Sequence, residues 1–225
     1  MVYVIDQAMS GRNSRTGEFV NWDNRVPQLD RRAELSRIFH TGCEQLAPWE
    51  VPEHLKISAR TGKLPLFFTT GAHGRVIHQS LVKEIEAFDP GQHQFFTLRV
   101  TWRNGDEIEG PWFLLNVYRA EASIADAGTA FRAIHGWKTI STEDGTPREV
   151  RDPDKIVARY LDYYVGPHKR GKRVVYDPAR LSGESHLWRE PRFGDAVLCS
   201  DALWKAFNPT APKRIAGFRA KELRH

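Results

Sequence analysis

The residues with the clearest potential for chemistry are nine histidines, because a neutral imidazole is a common metal ligand. A metal centre needs three or four ligands that meet in space, and many such centres show in a sequence as ligand pairs at short spacing. His73 and His78 flank a predicted turn, but no carboxylate or thiolate near them completes a set. The other histidines form no pair at ligand spacing on a predicted helix. We therefore predict no metal site and no cofactor.

Nucleophilic catalysis has no better candidate. Ser182 and Ser185 lack the strand-to-helix turn with flanking glycines that exposes a catalytic serine. Cys199 lies in an apolar stretch, which is typical of a buried thiol rather than a reactive one. The chain also has no glycine-rich loop of the kinds that bind phosphate. We predict that the protein is not an enzyme.

A basic segment is the most concentrated charged feature, and its side chains are His168, Lys169, Arg170, Lys172 and Arg173. Tyrosines precede and follow it, so the segment could combine phosphate contacts with base stacking in a nucleic-acid site. A solvated loop beside core tyrosines is the alternative that we favour, and such a loop could also attract an acidic protein surface. The net charge of +5 does not by itself indicate a nucleic acid or another acidic partner, since 33 basic and 28 acidic side chains are interspersed.

The seven tryptophans are the other candidates for binding, because tryptophan supplies either core volume or an anchor at an interface. Trp102 and Trp112 lie in strand-like sequence and are predicted to be core residues. Trp22 and Trp49 lie in loop-like sequence. We therefore expect Trp22 and Trp49 to be exposed and to contact a partner.

The most clearly encoded element is a β-hairpin over residues 94–118. Apolar and polar residues alternate along its first arm, which is the pattern of a strand with one wet face. Asn104 and Gly105 then supply the positive φ angles that a tight hairpin turn needs. Gly110 and the proline after it interrupt the pattern, and residues of these types belong at a bulge or an edge of a sheet. Beyond this interruption, the second arm is apolar on both faces. We expect the second arm to be the more deeply buried one.

Shorter elements flank the hairpin. Helices are predicted at residues 29–39 and 80–88, and a third follows Ser200, its expected N-cap. Strands are predicted at residues 2–5, 64–68, 131–140, 174–176 and 214–221. The proline-rich stretch of residues 43–64 is expected to be irregular. Residues 154–165 suit either a helical face or an aromatic-rich strand, and we favour the strand.

Two parts of the chain repeat one order of elements. In each, an apolar pair precedes a short helix that ends in Phe-Asx-Pro, at Phe88 and at Phe207, and a strand follows. This order indicates a duplicated strand–helix–strand unit. The elements together predict an α+β fold, with mostly antiparallel sheet and a few short helices. We expect one domain over residues 1–225, or two lobes of about residues 1–125 and 126–225.

The composition is that of a soluble globular protein, with 40% hydrophobic and 27% charged residues. No apolar run is long enough to cross a bilayer, and the first residues have no signal-peptide pattern. Cys43 and Cys199 lie far apart and in no paired motif, which fits a reducing compartment. We therefore expect a cytoplasmic protein with no membrane partner.

Several motifs of the chain resemble those of the bacterial polymorphic-toxin immunity family numbered eleven, which belongs to type VI secretion and contact-dependent toxin systems. They are the Ser200-capped helix after an apolar pair, the His-Leu-Trp-Arg stretch that begins at His186, the Phe-Leu-Leu-Asn-Val stretch that begins at Phe113, and the closing Gly217-Phe pair. The resemblance covers most of the chain from about Leu66 onward. These motifs are structural, so no catalytic residues come with them.

The resemblance implies a protein that binds a cognate toxin of the same cell or its kin and neutralises it. We expect that toxin to be encoded next to this protein. A cytoplasmic immunity protein meets its toxin where the toxin acts, which favours a cytosolic target of the toxin. The alternative function is a nucleic-acid-binding domain that uses the basic segment of residues 168–173.

Overall fold

A computed structural model describes residues 1–5, 17–40, 44–70, 74–129, 131–142, 146–161, 174–193, 196–209 and 217–223 of the chain. Its helices are α1 (Trp22–Arg25), α2 (Leu29–His40), α3 (Gln79–Phe88) and α4 (Asp201–Phe207). Its strands are β1 (Val2–Ile5), β2 (Gly17–Phe19), β3 (His54–Ile57), β4 (Phe67–Thr69), β5 (Arg75–His78), β6 (Gln94–Thr101), β7 (Trp112–Asn116), β8 (Phe131–Ser141), β9 (Pro147–Leu161), β10 (Val175–Tyr176), β11 (Leu187–Arg189), β12 (Val197–Ser200), β13 (Gly217–Arg219) and β14 (Lys221–Glu222). The fold is α+β with mostly antiparallel sheet, as predicted.

The larger sheet has six strands in the order β2-β3-β6-β7-β5-β4, and within this sheet β3 and β6 are parallel while its other described neighbours are antiparallel. The predicted hairpin is confirmed, because β6 and β7 pair antiparallel from Gln94 with Asn116 at the open end to Leu98 with Trp112. Strand β7 is more deeply buried than β6, as its continuous apolar run predicts. The most strongly patterned part of the sequence is therefore the middle of the larger sheet.

The turn of this hairpin uses one left-handed residue instead of two. Gly105 has a φ of 96°, whereas Asn21 is the only non-glycine residue with positive φ in the part of the chain that is described. The positive φ predicted for Asn104 is therefore wrong. The Gly105 N–H donates to the Trp102 carbonyl at 3.0 Å, as in a type I turn followed by a left-handed glycine.

The smaller sheet has four antiparallel strands in the order β11-β12-β1-β13. Strand β1, from the start of the chain, lies between β12 and β13. Strands β10 and β14 form a parallel pair, and β8 and β9 form a separate two-stranded antiparallel ribbon. Within the described ranges, no helix is long and apolar enough to cross a membrane.

The buried apolar side chains form three clusters. The first packs α1 and α2 against the six-stranded sheet and includes Leu35. The second joins the two sheets through α3 and α4, which contribute Leu81 and Leu203. The third covers the other face of the four-stranded sheet. Val76 and Ile77 of β5 pack into different clusters, which explains why this strand is apolar on both faces.

The predicted strand–helix–strand repeat is present in both places and extends to the sheet around it. Strands β4-β5-β7-β6 and β11-β12-β1-β13 have the same order and the same antiparallel directions. Helices α3 and α4 each follow directly from the second strand of their unit. Their C-cap residues have nearly equal dihedral angles, φ −128° and ψ 63° at Asp89 and φ −127° and ψ 60° at Asn208. In the second unit, β1 takes the place that β7 has in the first.

Asp89 links the two units. Asp89 is the C-cap residue of α3, where its main-chain N–H donates to the Ile85 carbonyl at 2.7 Å, and the residue is only 2% exposed. Its carboxylate accepts hydrogen bonds from the main-chain N–H groups of His186, at 3.0 and 3.1 Å, and of Leu187, at 2.6 Å. His93 Nε2 lies 3.5 Å from the same carboxylate. Asp89 of the first unit therefore fixes the start of β11 in the second.

Three predictions about elements need correction or completion. Residues 43–64 are not irregular throughout, because β3 lies within them and pairs with β2 and β6. The single closing strand predicted at residues 214–221 is wrong: β13 and β14 belong to different sheets, and residues 214–216 lie outside the described ranges. The strand favoured within residues 154–165 is confirmed as far as Leu161 by β9.

Candidate functional site

Trp49 is the exposed aromatic residue that the sequence predicted, with 61% of its surface accessible. It lies in the middle of a 3₁₀ turn, Pro48–Glu50, that precedes β3. Arg25 Nη2 donates to the Pro48 carbonyl at 3.3 Å. The preceding Pro48 is also exposed, so the turn presents two apolar rings to solvent.

The neighbour of Trp49 in the chain, Glu50, holds this turn in place from inside. Only 5% of Glu50 is exposed, and its carboxylate accepts from Arg31 Nε at 2.9 Å and from the Ala47 N–H at 3.0 Å. The Glu50 N–H in turn donates to the Ala47 carbonyl at 3.0 Å. Because these contacts fix the backbone on both sides of Trp49, its indole is presented from a rigid support.

Trp22 supports the same turn and does not face solvent. Its side chain is 7% exposed, and its indole Nε1 donates to the Glu50 carbonyl at 2.9 Å. The exposure predicted for Trp22 is therefore wrong, because α1 carries the ring into the first apolar cluster. Trp102 and Trp112 are buried, as predicted. Trp22 and Trp49 thus meet at one turn, one beneath it and one outside it.

Charged pairs surround the Trp49 turn. Arg25 forms an ion pair with Glu53, and Arg31 lies between Glu34, at 2.5 Å, and Glu50. An exposed aromatic residue with a polar and charged rim is the arrangement found around energetically dominant residues of protein interfaces. The geometry at Trp49 is therefore suited to binding another protein.

The basic segment that the sequence analysis singled out lies outside the described residues. This applies to His168, Lys169, Arg170, Lys172 and Arg173. Their part in binding stays a prediction.

The structure adds an exposed tryptophan that the sequence analysis did not select. Trp137 of β8 is 60% exposed. On its face of the strand the next residues are Thr139 and Ser141, which are polar, so the pattern already contradicts a buried face. That local alternation was the signal that could have identified Trp137 as a surface residue.

The described side chains include no cluster of three His, Cys, Asp or Glu residues that could hold a metal. Cys199 is a free and fully buried thiol, and burial raises its pKa. The expectation that Cys199 belongs to the core is confirmed. The prediction that the protein is not an enzyme stays a prediction.

The fold and its surface define an α+β protein whose clearest exposed feature is suited to binding. A family model, described as "Immunity protein family (Imm11)", matches residues 2–223. The chain therefore belongs to this immunity protein family, and the resemblance seen in the sequence is confirmed over nearly its whole length. Membership indicates a role in toxin immunity, and such families are in general not enzymatic. A search of curated proteins found no match to the chain.

Proposed function

We propose that this protein binds a cognate bacterial toxin directly and neutralises it in the cytoplasm. The observation that carries the proposal is the family match, which spans residues 2–223 and so leaves almost no part of the described fold to a separate function. Direct binding is the simplest mechanism for a protein in which the described residues include no metal cluster and no reactive thiol.

Trp49 is the contact residue that the geometry favours. An aromatic anchor gives most binding energy when its conformation is already fixed, because little rotational freedom is then lost on association. The buried Glu50 and the indole of Trp22 fix the backbone that carries Trp49. The segment of residues 168–173 is proposed as a second contact, which would speed association with an acidic toxin surface.

The cytoplasm is proposed as the place of action. The free thiol of Cys199 is compatible with a reducing compartment. A protein that neutralises its toxin there protects a cytosolic target, such as nucleic acid, a nucleotide cofactor or the translation machinery. We further propose that the toxin gene lies beside the gene for this protein.

Co-expression with the product of the adjacent upstream reading frame tests the proposal. The two proteins should co-purify in a fixed ratio at moderate salt, and growth arrested by the neighbour should be rescued. A complex without rescue would show that binding does not neutralise. The nucleic-acid-binding alternative would be favoured if the two proteins formed no complex and growth were not rescued, and if the protein instead bound bulk nucleic acid and released it as the salt concentration rises.

Trp49→Ala tests the contact that we assign to this residue. Because the side chain is exposed, the free energy of unfolding should change by less than about 0.5 kcal/mol. Affinity for the toxin should fall by at least about tenfold, as for a central aromatic contact. Gln45→Ala, an exposed polar residue four positions away, is the matched control and should leave affinity unchanged. Equal affinity of Trp49→Ala and the wild type would remove Trp49 from the interface.

A further inference from the structure

The β8–β9 ribbon, Phe131–Ser141 with Pro147–Leu161, is exposed on both faces over its outer half. Successive side chains of a strand point to opposite faces, so a strand that packs on a core alternates between buried and exposed residues. Residues 137–141 and 147–149 are instead all exposed. Among the described strands, β8 and β9 pair only with each other. The outer half of the ribbon therefore stands clear of the sheets.

Large apolar side chains lie on this uncovered ribbon. Trp137, Ile140, Ile156 and Val157 are 60, 40, 45 and 56% exposed. A two-stranded ribbon without a covered apolar face is only marginally stable in water, so a ribbon of this length gains most from a partner that covers it. Single exposed apolar residues are common on protein surfaces, but these four occur within one supersecondary element.

The apolar residues of the outer half are placed beside arginines. The register pairs Trp137 with Arg151 and Ile140 with Arg148. Paired residues of an antiparallel ribbon share a face, with their Cβ atoms about 5 Å apart. Aromatic residues and arginine are the residue types enriched in protein interfaces. Each face of the outer half thus presents an apolar group next to a guanidinium.

The charge of the ribbon indicates the chemistry of its partner. Its two strands contain six basic residues, Arg132, Lys138, Arg148, Arg151, Lys155 and Arg159, against three acidic ones, Glu149, Asp152 and Asp154. One of the acidic groups, Asp152, lies 3.3 Å from Lys138 Nζ and is neutralised by it. A second copy of the chain would bring a ribbon of the same net charge, which disfavours pairing of ribbons. An acidic surface is complementary to it.

A nucleic acid would also be acidic, but the side chains favour a protein. Ile140, Ile156 and Val157 offer neither stacking faces nor hydrogen bonds to bases. The acidic residues Glu149 and Asp154 would lie close to a phosphate backbone. A protein surface can use both the aliphatic groups and the mixed charges.

We propose that the β8–β9 ribbon is an arm that docks in an apolar cleft of the toxin. One wall of the cleft contacts Trp137 and the other contacts Ile140, which lie on opposite faces of the ribbon, and acidic residues at its rim face Arg151 and Arg148. This proposal rests on the proposed function, because it takes the toxin as the partner. It adds a further contact surface to the two already proposed, Trp49 and the segment of residues 168–173. The arginines are expected to speed association with the toxin, whereas the apolar side chains are expected to slow dissociation.

The test compares the wild type with Arg148→Glu/Arg151→Glu and with Trp137→Ala by measuring association and dissociation rates. The probe is the purified product of the adjacent reading frame. Charge reversal should slow association by about tenfold at low salt, and the difference should shrink as salt rises. Trp137→Ala should speed dissociation by at least about tenfold and leave the association rate nearly unchanged.

Arg60→Glu/Arg103→Glu is the matched control, since both arginines are exposed, lie outside the ribbon and give the same change in net charge. It should change association by less than about twofold at moderate salt. Thermal unfolding of every variant verifies that the fold is intact. A ribbon variant that unfolds is replaced by the single substitutions Arg148→Gln and Trp137→Tyr, for which smaller changes in the same two rates are expected.

The outcomes separate this proposal from the proposed function. A wild-type protein that does not bind the toxin overturns both. A wild-type protein that binds, with both ribbon variants binding equally well, overturns the arm alone. Faster association after charge reversal contradicts an acidic partner. Self-association that Trp137→Ala abolishes, or binding of bulk nucleic acid that charge reversal abolishes while toxin binding persists, assigns the ribbon to another partner and also overturns the arm.

Discussion

Asp89 shows how one buried side chain connects distant parts of the chain. Burial alone raises the pKa of this carboxyl, but the side chain of His93 and the N–H groups of His186 and Leu187 outweigh burial, so the pKa lies below its ordinary value. The ionised form is thus favoured in the folded state. The contribution of Asp89 to stability is fully present above the pKa of the unfolded chain, about 4, and is lost as the pH falls through the lower pKa of the folded state.

Asp89→Asn should therefore destabilise the protein in a pH-dependent way. The variant keeps the size of the side chain but loses the charge, and we expect a loss of about 2 kcal/mol in the free energy of unfolding at pH 7. Urea unfolding over a range of pH measures this difference. The difference in the free energy of unfolding between the wild type and the variant should become smaller as the pH falls below about 4. Glu109→Gln, which alters an exposed carboxylate, is the control. A difference that stays constant with pH would contradict the role of the charge.

Trp22 and Trp49 show the limit of sequence reasoning at the residue scale. Both lie in sequence with loop character, and nothing local separates them. The burial of Trp22 depends on the Glu50 carbonyl, 28 positions away, which accepts from its indole. A contact of this kind follows from the tertiary arrangement of α1 against the turn, and no local pattern encodes it. The same loop character thus gave a correct prediction of exposure for Trp49 and a wrong one for Trp22.

Two glycines in the connection between β6 and β7 test the geometry of the central hairpin. Gly105 and Gly110 both have positive φ, of 96° and 109°. A Cβ added at Gly105 meets no atom within 4 Å, whereas one at Gly110 lies 2.5 Å from His78 Nε2. His78 Nδ1 accepts from the Ser80 N–H at 3.2 Å and so caps α3. The space beside Gly110 is therefore occupied by the His78 ring, which caps the N-terminus of α3.

Gly110→Ala should cost more stability than Gly105→Ala. Both substitutions place a side chain in left-handed backbone, which costs about 1–3 kcal/mol. Only Gly110→Ala must also displace the His78 ring, and we expect a further loss of about 1–3 kcal/mol. Chemical denaturation of the two variants gives the difference directly. Equal losses would mean that the His78 ring moves aside without cost.

The elements that could be predicted are those whose signal is local. The hairpin of β6 and β7 follows from its alternation and turn, and α4 from Ser200, whose Oγ accepts from the Leu203 N–H at 3.2 Å. Strand β3, His54–Ile57, does alternate between half-buried polar and buried apolar residues, but it was missed because an alternation of four residues in a proline-rich stretch is a weak signal. The separation of β13 from β14 was missed because it depends on which sheet each one joins.

One apolar cluster joins the two sheets, and this contact is the evidence on whether the molecule is one domain or two lobes. Ile77 comes from the six-stranded sheet and Leu187 from the four-stranded sheet, and both pack in the second cluster with α3 and α4. Strand β1 lies in the smaller sheet although it begins the chain. We therefore propose one domain over residues 1–225 in preference to lobes of about residues 1–125 and 126–225.

A single unfolding transition is expected on this account. Ile77→Ala and Leu187→Ala should each lower the free energy of unfolding by about 2–5 kcal/mol, because each leaves a cavity in the shared cluster. Circular dichroism and tryptophan fluorescence should report coincident transitions for the wild type and both variants. Two separate transitions, with each substitution moving only one, would show two independent lobes.

Direct binding of a cognate toxin is the central claim, and calorimetric titration with the purified product of the adjacent reading frame tests it most directly. We expect saturable binding at a fixed ratio, with a dissociation constant of about 1 μM or tighter, that persists when the salt concentration is raised. Absence of binding to that protein, together with binding of bulk nucleic acid that disappears at high salt, would contradict the claim.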